Sequence, residues 1–176
     1  MPEMTARDVI AIVELCNARG ILAHIDGGWG VDALLGRQTR THTDLDIAVQ
    51  HKDVPQLRAL LAERGFRDVP RDDTYDYNFV LGDAHGHQID VHSYTFDAAG
   101  NCIFGIPYPF DSLTGTGSIN GHTVKCIAPN WMVKFHTGYQ FDEDDFQDVK
   151  ALCEHFGIAL PSEYEEYEKR CATKKK

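Results

Sequence analysis

An α/β fold is predicted: a mixed β-sheet core with flanking helices and a short helical C-terminal part. Two patterns carry that reading. Apolar residues switch repeatedly between strand and helix spacing through the first half of the chain, which implies strands alternating with helices. The runs 78–81 and 87–94 then flank the turn Gly82-Asp83-Ala84-His85-Gly86, so they form an antiparallel hairpin and the sheet is mixed. A length of 176 residues suits one domain, or one domain with a small helical appendage. The division falls near Ala128, with a core over 1–127 and a helical part over 128–176 packed as one unit with it.

Thr5 followed by Asp8 is a variant N-terminal capping signal, and Val9, Ile12, Val13 and Cys16 recur at helical spacing until Gly20 stops the helix. Ile21 to Ile25 is a short apolar strand, broken by Gly27-Gly28, and Trp29 to Leu35 reads as a brief helix ended by Gly36. Leu45 to Val49 is the next strand, after which Asp53 can cap a helix carrying Leu57, Leu60 and Leu61 up to Gly65. Residues 96–123 are rich in Gly, Pro, Asn and Ser and are the least regular, although Asn120-Gly121 signals a hairpin before Val124 to Ile127. Helices follow over 130–138, over 142–156 with Gly157 closing it, and over 162–170.

The 43% hydrophobic and 25% charged fractions are those of an ordinary globular protein, and no apolar run is long enough to cross a bilayer. The opening Met1-Pro2-Glu3-Met4 lacks the basic start and apolar stretch of a secretory signal, so a cytoplasmic location and no membrane partner are expected. The five cysteines are scattered and never spaced C-x-x-C, which indicates buried thiols instead of disulfides or zinc. A net charge of −10 argues against a nucleic-acid track, which needs Lys and Arg, and suits a cationic small molecule better. The Lys174-Lys175-Lys176 end reads as a frayed, solvated tail.

Chemistry concentrates on two strands. Asp44-Leu45-Asp46-Ile47-Ala48-Val49 alternates strictly, which puts both carboxylates on one face and Leu45, Ile47 and Val49 on the other. Ile89-Asp90-Val91-His92 repeats the pattern, so neighbouring strands would bring three carboxylates to one sheet face. At about 5 Å and an effective dielectric of about 20, each carboxylate pair repels by roughly 3 kcal/mol. Hard oxygen donors on a rigid sheet suit Mg²⁺, which keeps waters and substrate phosphates in its shell. Two such ions can activate an attacking hydroxyl and stabilise a leaving pyrophosphate. An isolated Asp-x-Asp is more often a solvated edge strand. Here Gly27-Gly28 lies upstream between a strand and a helix, where bare amides and a helix N-terminus can approach phosphate.

The run Asp26-Gly27-Gly28-Trp29-Gly30-Val31-Asp32, then Gly36-Arg37, then Arg40-Thr41-His42-Thr43-Asp44-Leu45-Asp46-Ile47, resembles the small antibiotic nucleotidyltransferases of the polymerase-β-like superfamily. Lincosamide nucleotidyltransferases are the nearest, with certain aminoglycoside nucleotidyltransferases next. The resemblance continues through Ile89-Asp90-Val91-His92, Phe135-His136-Thr137-Gly138-Tyr139 and Asp148-Val149-Lys150, covering about residues 5–155. It implies that the sheet is a nucleotidyltransferase core, that Gly27, Gly28 and Trp29 hold the triphosphate of ATP or another NTP, and that Asp44 and Asp46 ligate Mg²⁺. Asp90 then completes the metal site or acts as general base. The implied reaction transfers a nucleoside monophosphate to a hydroxyl of a small antibiotic-like acceptor and releases pyrophosphate. A homodimer is a further family-based expectation. The alternative is a regulatory or antitoxin-like nucleotidyltransferase that acts on or binds a protein and lacks an acceptor pocket built by the C-terminal helices. An Asp-x-Asp glycosyltransferase leaves the preceding Gly-Gly without a purpose.

Other candidates divide between chemistry and packing. Arg40 and His42 either stabilise phosphate charge or pair with the acidic strand nearby. Lys150 is a phosphate contact or a solvated helical lysine. His92, His136 and Tyr139 are candidates to line the acceptor pocket, with Tyr75, Tyr77 and the segment 104–110 as a source of aromatic contacts or core. His85-Gly86-His87 lacks a third positioned metal ligand, and Thr114-Gly115-Thr116-Gly117-Ser118 lacks the Gly-Lys-Ser/Thr ending of a P-loop.

Overall fold

The computed structural model describes residues 2–174, with side chains described as far as Cys171. Helix α1 (Ala6–Ala18) starts in a full capping box, Thr5 and Asp8 each bonding the other's backbone N–H. Strand β1 is only His24–Ile25, shorter than the apolar run Ile21 to Ile25 predicts. Helix α2 (Gly27–Leu35) begins two residues earlier than Trp29. Gly27 and Gly28 thus form its first turn instead of preceding it, and Asp26 is the cap. Strand β2 (Asp44–Gln50) leads through a single 3₁₀ turn, His51–Asp53, into α3 (Val54–Ala62). Asp53 makes no side-chain capping bond, contrary to expectation; Pro55 in the first turn removes one of the N–H groups a cap would serve.

Strand β3 (Arg67–Val69) has no counterpart in the sequence reading. Strands β4 (Asn78–Gly82) and β5 (Gln88–Phe96) form the predicted antiparallel hairpin. The Gly-rich stretch contains two further strands, β6 (Cys102–Gly105) and β7 (Gly115–Ile119). Strand β7 turns at Asn120 (φ 47°) and Gly121 (φ 83°) into β8 (His122–Cys126), the left-handed pair a tight hairpin requires. Helix α4 (Pro129–Phe135) is shorter than predicted, and α5 (Glu143–Phe156) and α6 (Ser162–Lys174) complete the chain. Apart from the backbone of Lys174, the lysine tail lies outside the described residues.

The sheet is mixed, in the order β3-β4-β5-β2-β1-β8-β7, with β6 pairing the far end of β5. Strands β2 and β5 run parallel, and β1 bridges β2 antiparallel and β8 parallel. Leu45, Ile47, Ile89 and Val91 are fully buried and share one core with Val9 and Val13 of α1 and Leu57 and Leu61 of α3. Each such side chain contributes roughly 1.5–3 kcal/mol. The same core takes in Val149 and Leu152 of α5 and Tyr164 of α6, and α2 contacts both α4 and α5. Among the described residues, no helix is long and apolar enough to cross a membrane.

Candidate active site

The parallel register of β2 and β5 sets Asp46 directly opposite Asp90, with Asp44 opposite Gln88 and Ala48 opposite His92. Period-two alternation leaves Asp44, Asp46, Asp90 and His92 half-buried on one face while their neighbours Leu45, Ile47, Ile89 and Val91 vanish into the core. A second element closes on this face. The Asp26 N–H donates to the Asp46 carbonyl at 2.9 Å, and the Asp26 carboxylate Oδ1 accepts the Gly27 N–H at 2.9 Å. Gly27 (φ 55°) lies so close to Asp46 that a Cβ would stand 2.1 Å from its Oδ2. The start of α2 is therefore glycine because the carboxylate needs the space.

Charge crowding is visible at Asp46 and Asp90. The Asp46 carboxyl is pushed well above the usual carboxylate range, by burial first and then by Asp44, Asp26 and Asp90, with Arg71 opposing. Burial also raises Asp90, against the lowering influence of His92 and Arg71. Arg71 stands 3.5 Å from Asp90 Oδ2 and donates to Gln88 Oε1 at 2.8 Å. Asp90 Oδ1 is enclosed without a hydrogen-bond partner, the His92 Nε2 lying 3.5 Å away. Hard oxygen donors, mutual repulsion and an unsatisfied buried oxygen fit a divalent cation. Among the described residues no three His, Cys, Asp or Glu side chains are grouped to hold a metal ion by themselves, so a cation here would need further oxygens from substrate or water.

A cavity of about 370 Å³ opens over these groups, with Asp26, Gly27, Asp46 and His92 on one side. The rest of its lining is Ile106, Pro107, Tyr108, Phe135, His136 and Tyr139. The buried Tyr108 hydroxyl donates to Asp26 Oδ2 at 2.7 Å and stands 3.4 Å from His92 Nδ1. Burial, then the Asp26 charge, holds its phenol well above the ordinary tyrosine value. The His136 Nδ1–H donates to the Met132 carbonyl at 2.8 Å, which fixes the ring against the cavity. Tyr139, 47% exposed, forms the lip, its phenol raised by partial burial and by Asp145.

The structure thus gathers Asp46, Gly27, His92, His136 and Tyr139 around one cavity, with Asp44 and Asp90 on the adjoining sheet face. Other candidates stand elsewhere. Trp29 is buried, donating its indole N–H to the Met4 carbonyl and packing 4.8 Å from the His42 ring. His42, also buried, has Nε2 2.5 Å from Asp32 Oδ2, while the backbone N–H of Thr39 donates to Oδ1. Arg40 neither faces the cavity nor pairs with β2; its guanidinium meets Asp148 at 2.9 Å and Asp144 at 3.8 Å on α5. A Cβ on Gly28 would lie 2.5 Å from His42 Nδ1 and 2.7 Å from Arg40 Nη2, so that glycine admits protein side chains on the side its Cβ would occupy. Lys150 pairs with Glu168 and lines a separate depression with Cys153 and Leu160. Tyr75 and Tyr77 stack on each other, and Tyr77 meets Phe104 edge-on, outside the cavity lining. His87 Nδ1 is held by Asp83 at 2.9 Å.

Sequence reasoning did not assign roles to Asp26 or Arg71, and Tyr108 entered only within the segment 104–110 as a source of aromatic contacts or core. Asp26 carried a local signal, an Asp immediately before the glycine-led helix, the residue type that caps helices. Tyr108 meets it from 82 residues away, beyond any local pattern.

A mixed sheet with paired aspartates on one face, closed by a glycine-led helix, defines a nucleotidyltransferase. The chain belongs to the aminoglycoside-2''-adenylyltransferase family, whose model matches residues 8–152. It is 26% identical over 155 residues, 85% of this chain and 94% of the relative, to a lincosamide resistance protein of Staphylococcus haemolyticus. It is 34% identical over 74 residues, 41% of this chain and 40% of the relative, to a 2''-aminoglycoside nucleotidyltransferase of Escherichia coli. The fold matches the lincomycin-bound lincosamide antibiotic adenylyltransferase LnuA with a TM-score of 0.76 and 22% identity, covering 90% of this chain and all of that one. It matches ANT(2'')-Ia in complex with adenylyl-2''-tobramycin at 0.72 and 19%, covering 97% of this chain and 98% of that one.

Proposed function

We propose that this enzyme transfers a nucleoside monophosphate from ATP or another NTP to a hydroxyl of a small antibiotic-like acceptor, a lincosamide or an aminoglycoside, releasing pyrophosphate. The observation that carries the reading is the in-register placement of Asp46 opposite Asp90, with Asp44 on the same face and the α2 N-terminus against them. Asp44, Asp46 and Asp90 would hold Mg²⁺, two ions in the full reading. When bound, the metal supplies charge neutralisation for the triphosphate and for the oxygens that attack and leave. The chain does the rest by positioning: the first turn of α2 meets the phosphates, and the cavity wall holds the acceptor beside the α-phosphorus. There the acceptor hydroxyl oxygen forms the new P–O bond as the bond to pyrophosphate breaks, and its proton passes to Asp90 acting as general base or to water. Dependence on an NTP accords with a cytoplasmic enzyme.

The antitoxin-like alternative is disfavoured by the cavity, whose lining includes Phe135, His136 and Tyr139 from the C-terminal part. Incubation with Mg²⁺, each NTP and a panel of lincosamides and aminoglycosides, followed by acceptor mass and pyrophosphate, tests the proposal. Absence of any nucleotidylated acceptor refutes it. Asp44→Ala and Asp46→Ala should abolish transfer while remaining folded, and near-normal turnover in both would remove the metal assignment.

A further inference from the structure

Among the groups around the cavity, Asp26 is the carboxylate left without a cation. Arg71 stands at Asp90, and in the proposed function Asp44, Asp46 and Asp90 hold the metal. Asp26 makes no ion pair among the described residues; its partners are two neutral donors, the Gly27 N–H on Oδ1 and the Tyr108 hydroxyl on Oδ2. Those two bonds fix the carboxylate in the cavity lining, where it stays partly accessible. Around it the cavity offers ring faces and apolar surface: Tyr108, Phe135, Tyr139, Ile106 and Pro107. A fixed anion beside aromatic faces is the chemistry that recognises a protonated amine on an apolar or sugar frame.

We propose that Asp26 is a specificity-determining residue that receives a protonated amine of the acceptor, with Tyr108 as the positioning residue that aims it. The inference rests on the transferase reading for the identity of the acceptor. Its geometry also gives a use to the second carboxylate oxygen, which accepts from the Tyr108 hydroxyl at 2.7 Å when capping alone uses only Oδ1. Asp26→Asn retains an oxygen for the Gly27 N–H and removes the charge.

The test is equilibrium binding by calorimetry, without turnover. Lincomycin, tobramycin and N-acetylated tobramycin are titrated into the wild-type protein, Asp26→Asn and Tyr108→Phe, with Mg²⁺-ATP titrated separately. Expected are a tenfold or greater loss of amine affinity in Asp26→Asn, a smaller loss of about threefold in Tyr108→Phe, and in both a smaller change in Mg²⁺-ATP affinity than in amine affinity. The acetylated compound should bind weakly to all three proteins. Unchanged amine affinity in Asp26→Asn overturns the inference, as does failure of the wild type to bind either amine. Loss of Mg²⁺-ATP binding alone would instead give Asp26 to the metal site and also overturn it. If Asp26→Asn does not fold, Tyr108→Phe decides: unchanged amine affinity overturns the inference. Intact amine binding with no transfer in the assay above would sink the transferase reading and leave this one standing.

Discussion

Replacing Asp46 by Asn should stabilise the metal-free protein while destroying its activity. Asp46 and Asp90 are register partners on adjacent strands, and Asp44 and Asp26 bear on the same carboxyl. Neighbouring strands lie about 5 Å apart, which sets the separation of side chains in register on one face. At an effective dielectric of about 20 that separation costs roughly 3 kcal/mol per ionised pair. Part is already avoided, because a carboxyl pushed well above its ordinary range spends more time protonated. Relief of about 1–3 kcal/mol is therefore expected, which for a chain of this size raises Tm by roughly 2–12 °C. The assay is thermal unfolding by circular dichroism in chelator, repeated with Mg²⁺ and ATP. The wild type should gain stability on adding Mg²⁺-ATP by mass action, and the variant should gain much less. A variant that melts at or below the wild type in chelator would refute the claim that these carboxylates repel one another across the strands.

Three further outcomes follow from the geometry. Gly27→Ala places a methyl 2.1 Å from Asp46 Oδ2 at a positive φ, so transfer should fall at least about 100-fold and stability by about 1–3 kcal/mol in urea unfolding; wild-type turnover would contradict the close approach. Arg40→Ala strips the partner from Asp148, whose side chain is 4% exposed, and should cost about 2–3 kcal/mol, with the Arg40→Ala, Asp148→Ala double variant losing less than the sum of the singles. Additive losses would mean the two do not interact. Burial holds the His24 imidazole below its ordinary value, so the unfolded chain takes up its proton first as pH falls. That contribution to stability is complete above about pH 6.5 and is lost as pH falls below it. His24→Asn should shallow the decline in unfolding free energy between pH 7 and 5, and an unchanged slope would clear His24 of any part in it.

What the sequence revealed and what it concealed divide by distance along the chain. The alternation in Asp44 to Val49 and Ile89 to His92 is local, so the shared face could be read directly, and pairing of the two strands completes it. Capping at Thr5 and Asp8 and the turn at Asn120-Gly121 were legible for the same reason. Strand β7 was hidden because packing dictates its glycines: a Cβ on Gly117 would lie 2.3 Å from the Ala33 carbonyl of α2, so strand propensity yields to contact. Strand β3 is short, mostly exposed and without alternation. Arg40 could be recognised as paired or phosphate-binding, but its partner Asp148 lies 108 residues away. Neither that ion pair nor the Tyr108–Asp26 bond leaves a trace in any local window.

The contact between Asp26, Gly27 and Asp46 also sets where this chain can change length. The N–H of Asp26 is tied to the carbonyl of Asp46, and Gly27 rests against the carboxylate of the same residue, which makes the intervening segment a loop pinned at its neck. At the far end of α2, Gly36, Arg37 and Gln38 are exposed. Extra residues inserted there lengthen the closed loop at an entropic cost that grows only logarithmically. A single residue inserted between Asp26 and Gly28 would instead rotate the first turn of α2 away from the carboxylates. Variation in this protein should therefore collect at the bottom of α2 and be absent from its top.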